Sequence, residues 1–241
     1  PDTIRSEIAR HYGRFDAVAV LTETNRREYE EILPGTRIVQ IPNAVQKVDH
    51  ERSTQHNPVV VAAGRLVPQK GFDLLIKAFA QVVEEHPEWQ LRIFGHGPRE
   101  ALLRAQIEEL GLSGNVSLMG RTDRLDEELA AASVYALSSR FEGLPMVMIE
   151  AMTHGLAVVA FDCPTGPRDV LTDGVDGLLV PPRDVDAMAA ALRKVIADRR
   201  LRIELGAAAA ALARGYAPDV VMPMWENLFA ELTQGVRAGA R

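Results

Sequence analysis

Cysteine is almost absent. Cys163 is alone in 241 residues, so no internal disulfide framework can form, and a reducing compartment suits the chain. Aromatic residues are scarce at 5%, and Trp89 and Trp225 read as packing anchors, not as stacking platforms. No apolar run approaches the roughly 20 residues of a transmembrane span, and no signal peptide is visible. The six histidines fall at no metal-ligand spacing, and neither Cys-x-x-Cys nor His-x-x-x-His occurs. An excess of positive charge is missing too: the net charge of −6 argues against a general nucleic-acid footprint and leaves room only for a local basic pocket.

Apolar residues at 47% can build a sizeable core, and 25% charged residues are ordinary for a soluble globular protein. The length suits one large α/β domain or two small ones. The chain opens at Pro1, without a methionine, on a helix-like segment, and reads as a piece of a longer protein. Short apolar runs alternate with helical patterns. Strands are expected at Asp16–Leu21, Arg37–Ile41, Pro58–Ala63, Gln90–Phe94, Asn115–Met119, Val134–Leu137, Ala157–Ala160 and Gly177–Val180. Helices are expected between them at Glu23–Leu33, Lys70–Glu85, Pro98–Leu110, Asp123–Ala132, Pro145–Thr153 and Pro167–Leu171. Val-rich strands without alternation, separated by helices, indicate a doubly wound parallel sheet covered on both faces, of Rossmann-like α/β class. Gln46–Asn57 is polar and aperiodic, as a linker or loop would be. It divides the chain into an N-terminal segment, 1–45, and a lobe, 46–241, that ends in Ala-rich helices at Val185–Arg199, Arg200–Arg214 and Pro218–Gln234. The cations Arg193, Lys194, Arg199, Arg200 and Arg202 read as a solvated helix face.

Two glutamates eight residues apart, Glu142 and Glu150, bracket a strand-to-helix turn. Glu142 falls in the loop, Pro145 suits the first helical position, and Glu150 lies more than a turn inside, on the face of Met146. The helix N-terminus between them offers free N–H groups to a phosphate, and the flanking carboxylates can accept hydrogen bonds from sugar hydroxyls. A second anion site is the loop Gly64-Arg65 to Lys70-Gly71, between a strand and a helix starting near Lys70. Arg binds phosphate bidentately and Lys adds a compact charge, and the order of residues is not that of a Walker loop. Phe94-Gly95-His96-Gly97-Pro98 fails as a dinucleotide fingerprint because Glu100 stands at the third glycine position. That failure and the cationic loop count against a dehydrogenase. Its glycines read as a tight turn, and His96 and His154 as local structural residues. Cys163, with no histidine nearby in sequence, reads as a buried thiol and not a nucleophile.

Together these motifs resemble the C-terminal lobe of retaining GT-B glycosyltransferases of family 4, the glycosyl transferases group 1. The resemblance runs from about Asp16 to Gln234. It rests on Ile41-Pro42-Asn43, the Gly64-Arg65 to Lys70-Gly71 loop, Gly95-x-Gly97-Pro98, Phe141-Glu142-Gly143-Leu144-Pro145, Glu150-Ala151-Met152, Gly155 and Asp176-Gly177 through Pro181. It implies that Arg65 and Lys70 hold the diphosphate of a UDP- or GDP-sugar and stabilise the leaving group. Glu142 would bind the donor sugar, and Glu150 the ribose. Gly64, Gly143, Leu144, Pro145 and Met146 would lie near sugar and phosphate, and the Gly120-Arg121 backbone near the base. No metal or other cofactor is implied. The acceptor site would come from an N-terminal lobe that this chain lacks, so the fragment is expected to bind nucleotide yet turn over little sugar. A non-catalytic nucleotide-sugar-binding module is the alternative. The expected location is the cytoplasm, with a peripheral contact at the inner membrane face left open. Two departures bear on the donor sugar: Thr165-Gly166-Pro167 stands where many relatives carry paired glycines, and Asp169 where a glutamate is more usual.

Overall fold

A computed structural model describes residues 2–46 and 52–239, which form two compact units, 1–46 with 215–241, and 47–214. The last helix therefore groups with the N-terminal segment, where the division read from the sequence placed it with the lobe. The segment 47–51, inside the expected linker, lies outside the described residues.

The smaller unit holds α1 (Asp2–Tyr12), β1 (Ala17–Val20), α2 (Glu23–Ile32), β2 (Arg37–Gln40) and, from the far end of the chain, α10 (Pro218–Gly239). Its strands pair parallel, Ala17 opposite Arg37. Thr22 caps α2 by accepting from the Asn25 N–H at 3.1 Å, the role a β-region threonine plays at a helix start. One small core gathers Val18, Val20 and Leu33. A second sets Val221 and Leu228 of α10 against Ile41, which explains the grouping of the two chain ends.

The larger unit is a six-stranded parallel sheet in the order β5-β4-β3-β6-β7-β8. The strands are β3 (Val59–Ala63), β4 (Gln90–Phe94), β5 (Val116–Gly120), β6 (Val134–Leu137), β7 (Ala157–Phe161) and β8 (Leu178–Val180). Between them run α3 (Phe72–Glu85), α4 (Glu100–Glu109), α5 (Leu125–Ala131), α6 (Met146–Thr153) and α7 (Pro167–Val170), followed by α8 (Val185–Ala197) and α9 (Arg199–Ala213). Every residue of β3, β6 and β7 is buried, as befits central strands covered by helices on both faces. On α3, Phe72, Leu75, Ile76, Phe79 and Val82 are buried. Their spacing of three and four makes one apolar stripe, which packs against α8. The Ala-rich α9 buries its small side, Leu205, Gly206, Ala209, Ala210 and Ala213, against α6 and β7. No helix among the described residues is long and apolar enough to cross a membrane.

The chain lays β3, β4 and β5 outward in one direction, then returns to place β6, β7 and β8 on the other side of β3. The reversal falls between β3 and β6, and the loops leaving their carboxyl ends part there to open a crevice.

Two local expectations need correction. Residues 52–57 are no free linker: Ser53 N–H donates to His154 O at 2.9 Å, and the buried Gln55 donates through Nε2 to Gly155 O at 2.5 Å. Nor is Arg202 solvated. It is buried, donates to Val195 O at 2.7 Å, Ile196 O at 2.6 Å and Gln55 O at 3.2 Å, and lies 5.2 Å from the centre of the Trp89 ring. The carbonyls at the end of α8 need donors that water cannot reach, and a guanidinium supplies several at once.

Candidate functional site

The crevice at the reversal is lined by the two loops that carry the sequence candidates. After β3 the chain runs through Gly64 and Arg65 into a single 3-10 turn, Pro68–Lys70. Gly71 then takes φ 65° as the N-cap of α3. Lys70 therefore precedes the helix by a turn of its own and is not in its first turn, as the sequence suggested. Glycine is required at 71, because a Cβ there would meet Ser138 O at 1.9 Å. After β6, Ser138–Pro145 forms the opposite wall, and α6 begins at Met146, with Pro145 as the N-cap and not the first helical residue.

The two loops are stitched together. Ser138 Oγ donates to Lys70 O at 2.9 Å, Arg140 N–H to Gln69 O at 2.7 Å, and Gln69 Nε2 to Phe141 O at 3.0 Å. The consequence is an ion pair across 72 positions of sequence: Lys70 Nζ lies 2.7 Å from Glu142 Oε1. Ser139 Oγ donates to the same oxygen at 2.5 Å. The Glu142 side chain is 7% exposed and that of Lys70 20%, so both charges sit mostly out of water, and an ammonium with three donors can hold one carboxylate and still offer protons elsewhere. The loop after β7 closes behind them. Thr165, at φ 58°, donates its hydroxyl to Glu142 O, and Gly166 N–H donates to Asp169 Oδ2 at 3.1 Å.

Two recesses of about 210 Å³ each open here. Lys70, Glu142, Leu144, Pro145 and Met146 line one; Gly64, Arg65 and Arg121 line the other, with His96 and Thr122. Ala63 and Val147 line both, which makes them neighbours over the end of β3. Arg65 and Arg121 are exposed. The start of α6 has no side-chain cap and no acidic residue in its first turn, so its amides are available to an anion. Gly143 and Glu150 line neither recess, and Gly120 has its carbonyl taken by the Gly95 N–H at 2.7 Å. Gly95 and Gly97 face protein backbone: a Cβ on Gly95 would meet Gly64 O at 1.9 Å, and one on Gly97 would meet Leu66 O at 2.6 Å.

Glu150 is half-buried on α6. Burial first, and then the negative charge of Asp126, push its carboxyl above its ordinary value. Among the described residues nothing donates a hydrogen bond to either carboxylate oxygen. Tyr135, wholly buried beneath the crevice, has its phenol pushed far up by burial and then by the charges of Glu142 and Glu150. Burial, with the Glu142 charge second, also pushes the Cys163 thiol up to about 12, so it stays protonated. Among the described residues no three His, Cys, Asp or Glu side chains are grouped to hold a metal ion.

Sequence reasoning missed Ser139, Tyr135 and a bidentate pair, Asp73–Arg140. The Ser139-x-x-Glu142 spacing could have signalled the first. The other two depend on which strands become neighbours.

Residues 46–211 match the family described as glycosyl transferases group 1, nearly the same span as the larger compact unit. An exopolysaccharide phosphotransferase of Streptomyces coelicolor is 41% identical over 90% of the chain, which spans 23% of that protein. A poly(ribitol-phosphate) α-N-acetylglucosaminyltransferase of Staphylococcus aureus is 29% identical over 92% of the chain, which spans 45% of it. Among solved structures, a variant of S. aureus TarM in complex with fondaparinux, α-GlcNAc-glycerol and UDP superposes with a TM-score of 0.85 at 28% identity, over 94% of this chain and 46% of that one. With the match spanning the unit that carries the site, the chain belongs to the glycosyl transferases group 1 family.

Proposed function

We propose that this chain is the donor-binding lobe of a retaining glycosyltransferase, which takes a hexose-type sugar from a UDP- or GDP-sugar for glycan, polysaccharide or glycolipid synthesis in the cytoplasm. The observation that carries the reading is the Lys70–Glu142 pair, set at the reversal of strand order beside the uncapped start of α6. The diphosphate lies against Lys70, Arg65 and the α6 amides. As the sugar departs, negative charge grows on the leaving phosphate, where these preorganised donors stabilise it. Glu142 keeps its second oxygen for a sugar hydroxyl, and Glu150 takes the ribose. The base lies beside Gly120 and Arg121. No resident metal or cofactor takes part in this reading. The relatives of polysaccharide and poly(ribitol-phosphate) chemistry support the product class, and a neighbour solved with UDP supports the nucleotide.

The acceptor site, in this reading, belongs to polypeptide beyond this chain. The chain alone therefore binds nucleotide and transfers little or no sugar. Calorimetric titration with UDP, GDP and ADP and their sugars tests it: at least one diphosphate binds, and Lys70→Met weakens that binding. If none binds, the donor-site reading is wrong; robust sugar transfer by the chain alone removes the need for a second lobe.

One observation favours a second reading. The relative at 41% identity is named a phosphotransferase, and this chain spans only 23% of it, which suits a reading of this lobe as a non-catalytic nucleotide-sugar-binding module. Lys70→Met in the complete protein separates the two, since it abolishes sugar transfer only if the lobe is catalytic.

A further inference from the structure

The bidentate ion pair between Arg140 and Asp73 has no place in the chemistry above, yet it sits where the two site loops meet. Arg140 Nη1 donates to Asp73 Oδ1 at 3.0 Å and Nη2 to Asp73 Oδ2 at 2.7 Å, and Nη1 also donates to Pro68 O. Pro68 opens the 3-10 turn that ends at Lys70. One guanidinium therefore ties three things: the loop after β6, the first turn of α3, and the turn that carries the lysine. Asp73 is itself braced, since its carbonyl accepts from Gln106 Nε2 of α4 at 2.8 Å. The side chains are 23% and 25% exposed, shielded enough for a two-bond pair to hold a geometry. Burial works against the ionised Asp73, but the Arg140 hydrogen bonds and charge outweigh it and keep the carboxyl below its ordinary value.

Resting on the diphosphate reading, we propose that Arg140 and Asp73 are positioning residues, which splint the Pro68–Lys70 turn to the Glu142 loop so that the Lys70 ammonium meets Glu142 and a ligand phosphate together. The lysine stem lies across Gly64, its Cε 3.0 Å from where a Cβ would stand, so the ammonium sets out from a position that the turn fixes. A shift of about 1 Å at such a group is enough to lose much of its effect. The Ser138–Lys70 and Gln69–Phe141 hydrogen bonds remain without the pair, so the lobe keeps its fold while the turn loosens. A lysine at 140 keeps the charge but cannot bond both carboxylate oxygens and the Pro68 carbonyl in one plane.

A double-mutant cycle tests this, reading UDP affinity by calorimetry, with GDP and ADP in parallel. Arg140→Lys weakens diphosphate binding about 5- to 10-fold in the parent chain and less than about twofold in a Lys70→Met background, because the splint acts through the lysine. Asp73→Asn, nearly isosteric, repeats the pattern and carries the test if Arg140→Lys does not fold. Equal losses in both backgrounds, or no loss in the parent, overturn the positioning role while leaving the donor-site reading intact. A parent chain that binds no nucleoside diphosphate overturns both.

Discussion

Glu150→Gln should weaken nucleotide binding and stabilise the empty lobe at once. The carboxylate is half-buried on α6, and among the described residues no donor reaches its oxygens. Its folded pKa lies above the ordinary 4.5, through burial and the charge of Asp126. The sign follows from linkage. A carboxyl with a raised folded pKa contributes stability below its unfolded pKa and loses it as pH rises through the folded one. At pH 7.5 the empty lobe therefore carries the whole penalty of an ionised, unpartnered carboxylate, and a neutral amide removes it. Ribose hydroxyls would supply the missing donors. Glutamine turns one acceptor into a donor and discharges the other, so at least one hydrogen bond to a charged group is lost, about 1.5–3 kcal/mol, or roughly 10- to 150-fold in Kd. Calorimetry reads the affinity and differential scanning the melting temperature. The expected pattern is a weaker Kd with a higher Tm at pH 7.5, the Tm gain vanishing towards pH 4. An unchanged Kd removes Glu150 from the ribose, and a lower Tm at pH 7.5 refutes the account of its environment.

Gly71→Ala should destabilise the lobe by about 3 kcal/mol in urea titration, because a left-handed backbone adds to a collision with Ser138 O; a loss under about 1 kcal/mol would contradict the close approach. Cys163 is 1% exposed with its thiol pushed up to about 12, so at pH 8 about one molecule in 10⁴ carries the thiolate. Labelling by a maleimide should wait for denaturant, and rapid native labelling would disprove the burial. For Asp73 the linkage runs the other way from Glu150. Its folded pKa lies below 3.8, so its stabilisation is present above that pH and lost as the pH falls through the folded value. The Tm difference between the parent and Asp73→Asn should be full at pH 6 and shrink below about pH 4; a difference independent of pH would deny the ion pair.

The strands were the most legible part of the sequence. Val134–Leu137 stands as read, because a strand buried on both faces is a continuous apolar run with abrupt polar ends, and Gln90–Phe94 stands as read although Gln90 is exposed and Arg92 only half-buried. Helix starts were harder. At Gly71 a left-handed residue and a separate 3-10 turn displace the start of α3, at a place where the Ser138 carbonyl of the loop after β6 leaves no room for a side chain. Residues 52–57 form the loop that their polarity suggested, but their polar groups also serve the carbonyls of Ala132 and Gly155, a demand invisible from the segment itself. The two glutamates and the cationic loop were legible singly. That Lys70 and Glu142 form a pair, and that Arg140 reaches Asp73, depends on β6 lying beside β3, which follows from the reversal in strand order and from no local pattern.

The pairing of Lys70 with Glu142 divides labour in time between the two cations. Lys70 spends its long-range attraction on a neighbour 2.7 Å away, so a distant anion feels little of it, whereas Arg65 stands exposed at the rim with its field open to solvent. Removing Arg65 should slow arrival, an effect that fades as salt shortens the Debye length. Removing Lys70 should hasten departure at any ionic strength, because the proposed contact with a phosphate would be made where salt hardly penetrates. If the donor-site proposal holds, the same crevice would set capture and residence of an anion with different residues, and stopped-flow kinetics across a salt series would see them as separate slopes.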